Sequence, residues 1–343
     1  MTRKLYIGAD VSAATIDVAG QCDTQRQVVG QFANSSEGFA EMMTQLASVL
    51  AQPATEIYLI LEPTGGYELA LVAFGHSQGW QVCLPNPKQV RDWAKGDGRR
   101  AKTDGQDAQT LAAFGAAKQP KPQADLAPEV QELTDLLRRQ EDLEQLLRSE
   151  RNRLGSYQTH PQPSQRVLDS LQRTISAVPA ELDDLNQQIE AVVTSQPTLK
   201  ADRQRLRTVP GIGAKNVLPI LVHLYRWQAR AGQSADAKGL VAFTGVDPQP
   251  FQSGRSVRKR STISRQGDHR IRQLLYMGAL GGLRRKGHNP LRNFYSGLVR
   301  RGKAKVLALV AASRKILVWA WAVFTQRVDF DPTRFPVIEP TPA

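Results

Sequence analysis

Four acidic residues lie along the first third of the chain in an arrangement that could hold divalent cations. Asp10 follows a short apolar, β-prone run, and Glu62 follows the apolar run 56–61. Asp104 and Asp107 are three residues apart at the predicted start of a helix, so both project from one side of its first turn. Carboxylate oxygens are the ligands that hard cations such as Mg²⁺ prefer. A set of four suits two Mg²⁺ ions that grip the phosphate of a phosphodiester.

Each acid also has a simpler explanation when it is considered alone. An aspartate at the end of a strand most often forms a turn, and aspartates at the start of a helix are favoured by the helix dipole. The combination of the four acids favours a metal site, because three predicted segments of one domain each present an acid at their end.

The elements that must position these acids alternate between strand and helix. Apolar runs and helical periodicity predict strands at 5–7, 16–19, 56–61 and 81–84, and helices at 36–50, at 68–78 and from Thr103 or Asp104 onward. This alternation is typical of an α/β domain whose site lies at the strand ends. We predict that the domain spans residues 1–117 and that a proline-containing linker follows at 118–128.

Residues 129–207 are highly charged and predicted to be helical. Apolar residues from Leu168 to Val192 follow the three–four spacing of a coiled coil, and a looser stripe runs from Leu133 to Leu154. Prolines between the stripes predict an antiparallel helical hairpin, and Pro179 should kink the second helix or start a new one. A leucine stripe usually marks a core, but the polar composition of this segment favours a projecting arm that dimerises.

A glycine-containing turn opens the last part of the chain, predicted as a domain over 208–330. Its sequence is Pro210-Gly211-Ile212-Gly213-Ala214-Lys215. In a helix-hairpin-helix such glycines let backbone N–H groups meet a phosphate, so we predict that Gly211, Gly213 and Lys215 bind nucleic acid. An ordinary glycine turn explains the same residues equally well.

The region after residue 252 is strongly basic. Between Ser253 and Lys315 there are 17 lysines and arginines and one acid, Asp268, and the whole chain has a formal charge of +13. Such an excess predicts a polyanionic partner, nucleic acid before membrane. Near Ser253 we expect phosphate contacts from Arg255, Arg258, Lys259 and Arg260. Ser253 has no evident general base, and Ser256, Ser261 and Ser264 are close, so the residues alone indicate a phosphate-binding hydroxyl.

Other features exclude several classes of protein. Cys22 and Cys83 form no Cys-x-x-Cys pair, and the five histidines have no metal-ligand spacing. No signal peptide is evident, and the apolar run 306–324 is interrupted by Arg314 and Lys315, which favours a buried helix over a membrane span. We expect a cytoplasmic protein with a disordered, proline-rich tail at 331–343.

Taken in order, these motifs resemble those of the DEDD transposases of the insertion-sequence 110 family. The shared pattern covers nearly the whole chain: Asp10, Glu62-Pro63-Thr64-Gly65, Lys102-Thr103-Asp104 with Asp107-Ala108, the coiled coil, Pro210-Gly211-Ile212-Gly213, Gly245-x-x-Pro248 and Ser253-Gly254. The resemblance implies an RNase-H-like (RuvC-like) N-terminal domain, a coiled-coil arm and a mainly α-helical C-terminal transposase domain.

The resemblance also implies a mechanism and partners. Asp10, Glu62, Asp104 and Asp107 would hold Mg²⁺, and Ser253 would attack the phosphodiester to form a covalent phosphoserine. The site would combine the acids of one protomer with the serine of another, in a homodimer that becomes a homotetramer in the active complex. Donor and target DNA would be the substrates, paired with a structured non-coding guide RNA. The protein would be bacterial and associated with the nucleoid when active.

Two other classes of function fit parts of the sequence. A Holliday-junction resolvase-like nuclease would use the same four acids with water as its nucleophile, but it would need neither Ser253 nor the basic C-terminal half. A non-catalytic nucleic-acid-binding protein would explain the charge of +13 but not four placed carboxylates.

Overall fold

The structure is a computed structural model that describes residues 3–22, 25–49, 56–97, 104–253, 257–285 and 289–334. These residues form two compact units: the first comprises residues 1–125 and 229–233, and the second comprises 126–228 and 234–343. The predicted arm, 129–207, therefore shares a unit with the predicted C-terminal domain. Most of the predicted tail lies outside the described residues.

A five-stranded mixed sheet organises the first unit. Its strands are β1 (Lys4–Val11), β2 (Thr15–Cys22), β3 (Gln25–Ala33), β4 (Glu56–Leu61) and β5 (Gln81–Cys83), in the spatial order β3-β2-β1-β4-β5. The first three strands pair antiparallel, whereas β4 runs parallel to both β1 and β5. The predicted α/β class is confirmed here, and the mixed sheet is compatible with an RNase-H-like domain.

Four helices cover the two faces of this sheet: α1 (Ser36–Val49), α2 (Leu69–Ser77), α3 (Pro87–Gly96) and α4 (Asp104–Lys118). Because side chains alternate along a strand, Leu5, Ile7 and Ala9 of β1 enter one core with α1 and α2. Tyr6 of β1 enters the other core, with residues of α3 and α4.

Helix α4 packs exceptionally close to β1. A Cβ atom on Gly8 would lie 2.1 Å from the carbonyl oxygen of Ala108 and 2.3 Å from the backbone nitrogen of Ala112. A Cβ on Gly115 would lie 2.6 Å from Ile60 and 3.1 Å from Tyr6. Since α4 passes Gly8 first and Tyr6 later, it runs antiparallel to β1, and its first turn lies at the end of β1 that carries Asp10.

Two elements of the first unit were not predicted. β3 is an edge strand whose residues are mostly exposed, so it lacks the apolar alternation by which strands are recognised. α3 begins at the sequence Pro85-Asn86-Pro87, which is as typical of a turn as of a helix start. Asn86 caps this helix, since its side chain accepts a hydrogen bond from the Lys88 N–H at 2.8 Å, and Pro87 occupies the first helical position.

The second unit is mainly helical. Its elements are α5 (Pro128–Gln158), α6 (Gln165–Ser195), α7 (Pro197–Thr208), α8 (Val217–Ala231), α9 (Ala237–Thr244), β6 (Pro248–Ser253), β7 (Val257–Ile263), α10 (His269–Leu283), α11 (Pro290–Arg300) and α12 (Lys305–Gln326). The strands β6 and β7 form an antiparallel pair, and Ser253 is the last residue of β6. Helix α12 is long and apolar enough to cross a membrane by length and composition, but most of its apolar side chains are buried in the core of this unit.

The predicted antiparallel helical hairpin is present as α5 and α6. Leu133 and Ile189 near its base join the main core, and Leu143 packs with Val178 and Leu185 further along. Pro179 does not start a new helix, because α6 continues through it to Ser195. These contacts are made within one chain, so a coiled coil between protomers stays a prediction.

A buried histidine supports the end of α9. His223 is 2% exposed, and its Nε2 lies 2.8 Å from the hydroxyl of Thr244, which itself donates to the carbonyl of Leu240. The imidazole must therefore donate to Thr244. Burial lowers the pKa of His223 to about 4, against a smaller opposing effect of Asp268.

We predict that a side chain at Gly8 destabilises the first unit, because the backbone of α4 occupies the space that its Cβ would need. Gly8→Ala would force α4 away from the strand, at a cost of about 1–3 kcal/mol, and would move the turn that carries Asp107. Hydrogen–deuterium exchange in β1 and α4 should become faster. Gly96→Ala is the matched control, because a Cβ there meets nothing within 4 Å; unchanged exchange in Gly8→Ala would show that the close packing is wrong.

We also predict that stability falls as pH decreases from 6.5 towards 4. The unfolded chain protonates His223 in this range while the folded chain keeps it neutral, so one histidine contributes a slope of up to about 1.4 kcal/mol per pH unit. Urea denaturation of His223→Gln, which keeps an N–H donor, should show a flatter pH dependence. His269 is exposed, so the control His269→Gln should leave the dependence of stability on pH unchanged. An unchanged pH dependence in His223→Gln would refute the prediction.

Candidate active site

Asp10 and Glu62 lie side by side at one end of the sheet. Asp10 is the penultimate residue of β1, not a residue beyond the strand as predicted, and Glu62 directly follows β4. In the parallel pair Ala9 is opposite Leu61, so Asp10 and Glu62 occupy the next position on neighbouring strands. Since Ala9 and Leu61 are buried in the core with α1 and α2, both acids belong to the face that α4 covers.

The first turn of α4 brings the remaining two acids to the same end of the sheet. Ala108 contacts β1 at Gly8, two residues before Asp10. Asp107, which precedes Ala108, is half-buried at this corner. Asp104 is the first residue of α4, but its side chain lies outside the described ones. Asp10, Glu62 and Asp107 therefore lie at the same end of the sheet, on the side that α4 covers. The backbone of Asp104 is one helical turn before Asp107.

The donor set suits a hard divalent cation, since carboxylate oxygens are its preferred ligands. Among the described side chains, no three histidine, cysteine, aspartate or glutamate residues come close enough together to hold a metal ion. The side chains of Asp10, Glu62 and Asp107 therefore do not by themselves form a closed ligand set, and the side chain of Asp104 lies outside the described ones. The chemistry of the residues fits Mg²⁺.

Ser253 lies at the tip of the β6–β7 hairpin. It is the last residue of β6 and pairs with Val257, the first residue of β7, and Arg258 pairs with Gln252. Lys259 and Arg260 follow on β7, whereas Arg255 falls outside the described residues, as do the side chains of all these strand residues from 250 to 261. The backbone thus places Ser253 beside a basic strand.

The base of this hairpin is fixed by contacts that sequence reasoning missed. The hydroxyl of Ser264 donates to the carboxylate of Asp247, and the Ser264 N–H donates to the Asp247 carbonyl at 3.0 Å. The guanidinium of Arg272 donates to the carbonyls of Thr244 at 3.2 Å and Gly267 at 2.7 Å. Ser264, one of the competing serines, is therefore occupied in a structural hydrogen bond.

The turn from Pro210 to Lys215 is built for close packing. Gly211 has φ +94°, and a Cβ there would lie 2.4 Å from Ile316 of α12. The Gly213 N–H, expected to meet a phosphate, donates to the Asn216 side chain at 2.7 Å, and that side chain also donates to the Gly211 carbonyl at 3.0 Å. Gly213 and Lys215 are exposed, so their contact with nucleic acid stays a prediction that depends on side chains more than on the Gly213 amide.

Two protein-family models match this chain, and together they include residues of both compact units. A family model for the DEDD transposases of the IS110 type, described as "Transposase", matches residues 7–161, and a second model, "Transposase IS116/IS110/IS902 family", matches residues 203–296. The chain is similar to the pilin gene-inverting proteins of Moraxella lacunata and Moraxella bovis. Each is 30% identical over 329 residues, which cover 96% of this chain and 98% of the relative.

Asp10, Glu62 and Asp107 fall within the first matched region, and Ser253 falls within the second. The similarity to the gene-inverting proteins extends over nearly the full length of both chains. The chain therefore belongs to the IS110 family of transposases, enzymes that cut and rejoin DNA.

Proposed function

We propose that the chain is an RNA-guided recombinase that exchanges DNA strands through a covalent bond to Ser253, with Mg²⁺ held by Asp10, Glu62, Asp104 and Asp107. The observation that carries the proposal is the meeting of β1, β4 and α4 at one corner, each with an acid. Membership of a transposase family supports DNA as the substrate and a divalent metal as the cofactor.

The proposed chemistry conserves the energy of the broken bond. The Ser253 oxygen forms a bond to phosphorus while the bond from phosphorus to a sugar oxygen breaks; the serine proton leaves and the sugar oxygen gains one. A second sugar hydroxyl then attacks the phosphoserine, which restores the serine and makes a new phosphodiester. When bound, Mg²⁺ would polarise the phosphate and lower the pKa of the attacking hydroxyl.

The basic strand β7 has a role in the same proposal. Arg258, Lys259 and Arg260 follow Ser253 by only a few residues and would neutralise the charge that develops on the phosphate, together with Arg255. The Moraxella proteins are named for the inversion of a gene, a reaction that requires DNA ends to be rejoined after cleavage. This favours strand exchange over the hydrolysis that a resolvase-like nuclease would perform.

Guide RNA and action at the bacterial nucleoid are the parts of the proposal that rest on the family resemblance and the charge. The net charge of +13 favours polyanions in general and does not distinguish RNA from DNA. No recognition helix with base-reading side chains stands out in the sequence, and base pairing to a guide RNA would supply that specificity.

We predict that Ser253→Ala abolishes both recombination and the covalent adduct. The reading frame with its natural flanking DNA would be expressed beside a target plasmid, and protein linked to DNA would be collected after denaturation. Asp10→Asn and removal of Mg²⁺ by chelation should each prevent adduct formation. The control is Ser256→Ala, three residues further along, which should still form the adduct. Cleavage without an adduct in the unaltered protein would favour the nuclease with water as nucleophile.

Assembly into dimers is proposed through the distal part of the α5–α6 hairpin. The predicted seam from Leu168 to Val192 is already partly used within the chain, because Leu185 and Ile189 are buried. Further from the core, Leu146 and Val167 are 40% and 38% exposed. Unused apolar surface at this end is what a second copy would cover.

We predict that Leu146→Glu with Val167→Glu lowers the mass of the particle measured by light scattering. Charges at these positions would have to be buried in the dimer, whereas they remain in water in a single chain. Gln172→Glu with Gln187→Glu adds the same charge at exposed polar positions of α6 and should leave the mass unchanged. If the apolar double variant kept the mass of a dimer, the hairpin would serve internal packing alone.

A further inference from the structure

A buried carboxylate in the first unit is not one of the four acids of the family pattern. Glu68, immediately before α2, is 7% exposed. Its Oε2 accepts hydrogen bonds from the Thr64 N–H at 3.0 Å, the Thr64 hydroxyl at 2.9 Å and the Gly66 N–H at 2.8 Å. All three donors belong to the loop 63–67, which begins directly after Glu62.

This loop has a defined path. Gly65 and Gly66 have φ +86° and +125°, a backbone conformation that residues with a side chain rarely adopt. The carboxylate of Glu68 accepts hydrogen bonds from donors on both sides of Gly65 and so fixes the path of the loop. Burial raises the pKa of Glu68, but the hydrogen bonds from its own N–H, Gly66 and Thr64 together bring it below its ordinary value, so the group remains an acceptor.

A second side chain joins this loop to the turn that follows Asp10. The Asn34 side-chain amide donates to the carbonyl of Ser12 and to the carbonyl of Tyr67, both at 3.0 Å. The Asn34 backbone N–H also donates to the Ala14 carbonyl at 2.9 Å. Both acceptors of the side chain are carbonyl oxygens, so the amide nitrogen must face them, and the orientation of the side chain is fixed.

We propose that Glu68 and Asn34 are positioning residues that hold the carboxylates of Asp10 and Glu62 at the spacing a divalent cation needs. Glu68 sets the path of the chain after Glu62, and Asn34 fixes that segment to the turn after β1. The role rests on the proposed metal site. Neither residue need touch the metal, since groups that orient ligands commonly change metal affinity by about 10–100-fold when they are removed.

The test is Mn²⁺ binding to the full-length protein, measured by electron paramagnetic resonance with thermal unfolding recorded without metal. We expect Glu68→Ala and Asn34→Asp to weaken binding by about tenfold or more, since the first removes the acceptor and the second the donor. Glu68→Gln keeps one acceptor oxygen and should recover part of the affinity. Thr64→Val, which removes only the hydroxyl donor, should give the smallest loss.

Two comparisons separate the possible outcomes. Glu41→Ala removes an exposed carboxylate of the same unit and should bind Mn²⁺ as the unaltered protein does. A lower unfolding temperature with unchanged Mn²⁺ affinity would overturn the positioning role and leave Glu68 a purely structural residue. If Glu68→Ala does not fold, unchanged affinity in both Glu68→Gln and Thr64→Val has the same meaning.

Asp10→Asn distinguishes this proposal from the one on which it rests. If Asp10→Asn weakens Mn²⁺ binding and Glu68→Ala does not, only the positioning role fails. If Asp10→Asn has no effect, the metal site itself is wrong and the positioning role falls with it.

Discussion

The contact between the backbones of β1 and α4 is the constraint on which the first unit depends. A helix normally stands off a sheet by the length of the side chains between them, but Gly8 has none, and the backbone of α4 occupies the space of its missing Cβ. Because the contact falls at Ala108, the turn that precedes it is fixed beside Asp10. A larger residue at Gly8 would displace the helix and with it two of the four acids.

Glycines also allow close backbone packing in the second unit. A Cβ on Gly278 or Gly282 of α10 would lie 2.5 Å and 2.9 Å from Gly211, so that helix meets the turn before α8 at backbone distance. Close packing therefore requires glycine at position 211, whether or not the turn also binds phosphate. The Gly213 amide, already bonded to Asn216, has less to offer a phosphate than the sequence predicted.

Sequence reasoning found the parts of the fold that apolar patterns encode. The strand 56–61 was predicted with the bounds of β4, α1 to within one residue, and the helical hairpin with its break. It missed β3 and the β6–β7 hairpin, whose sequences are polar or basic, because their pairing comes from backbone hydrogen bonds and neighbours distant in sequence. Glu68 and Asn34 were missed for a related reason: their partners are backbone groups, and no residue spacing reveals which backbone groups will converge.

The proposed mechanism combines acids of one compact unit with basic residues of the other. Asp10, Glu62 and Asp107 lie in the first compact unit, whereas the hairpin with Ser253 lies in the second, in a stretch with 17 basic residues and one acid. A phosphodiester would be drawn to the basic stretch and repelled by uncompensated carboxylates. A bound cation would remove that repulsion and, on the proposed mechanism, would also polarise the phosphate.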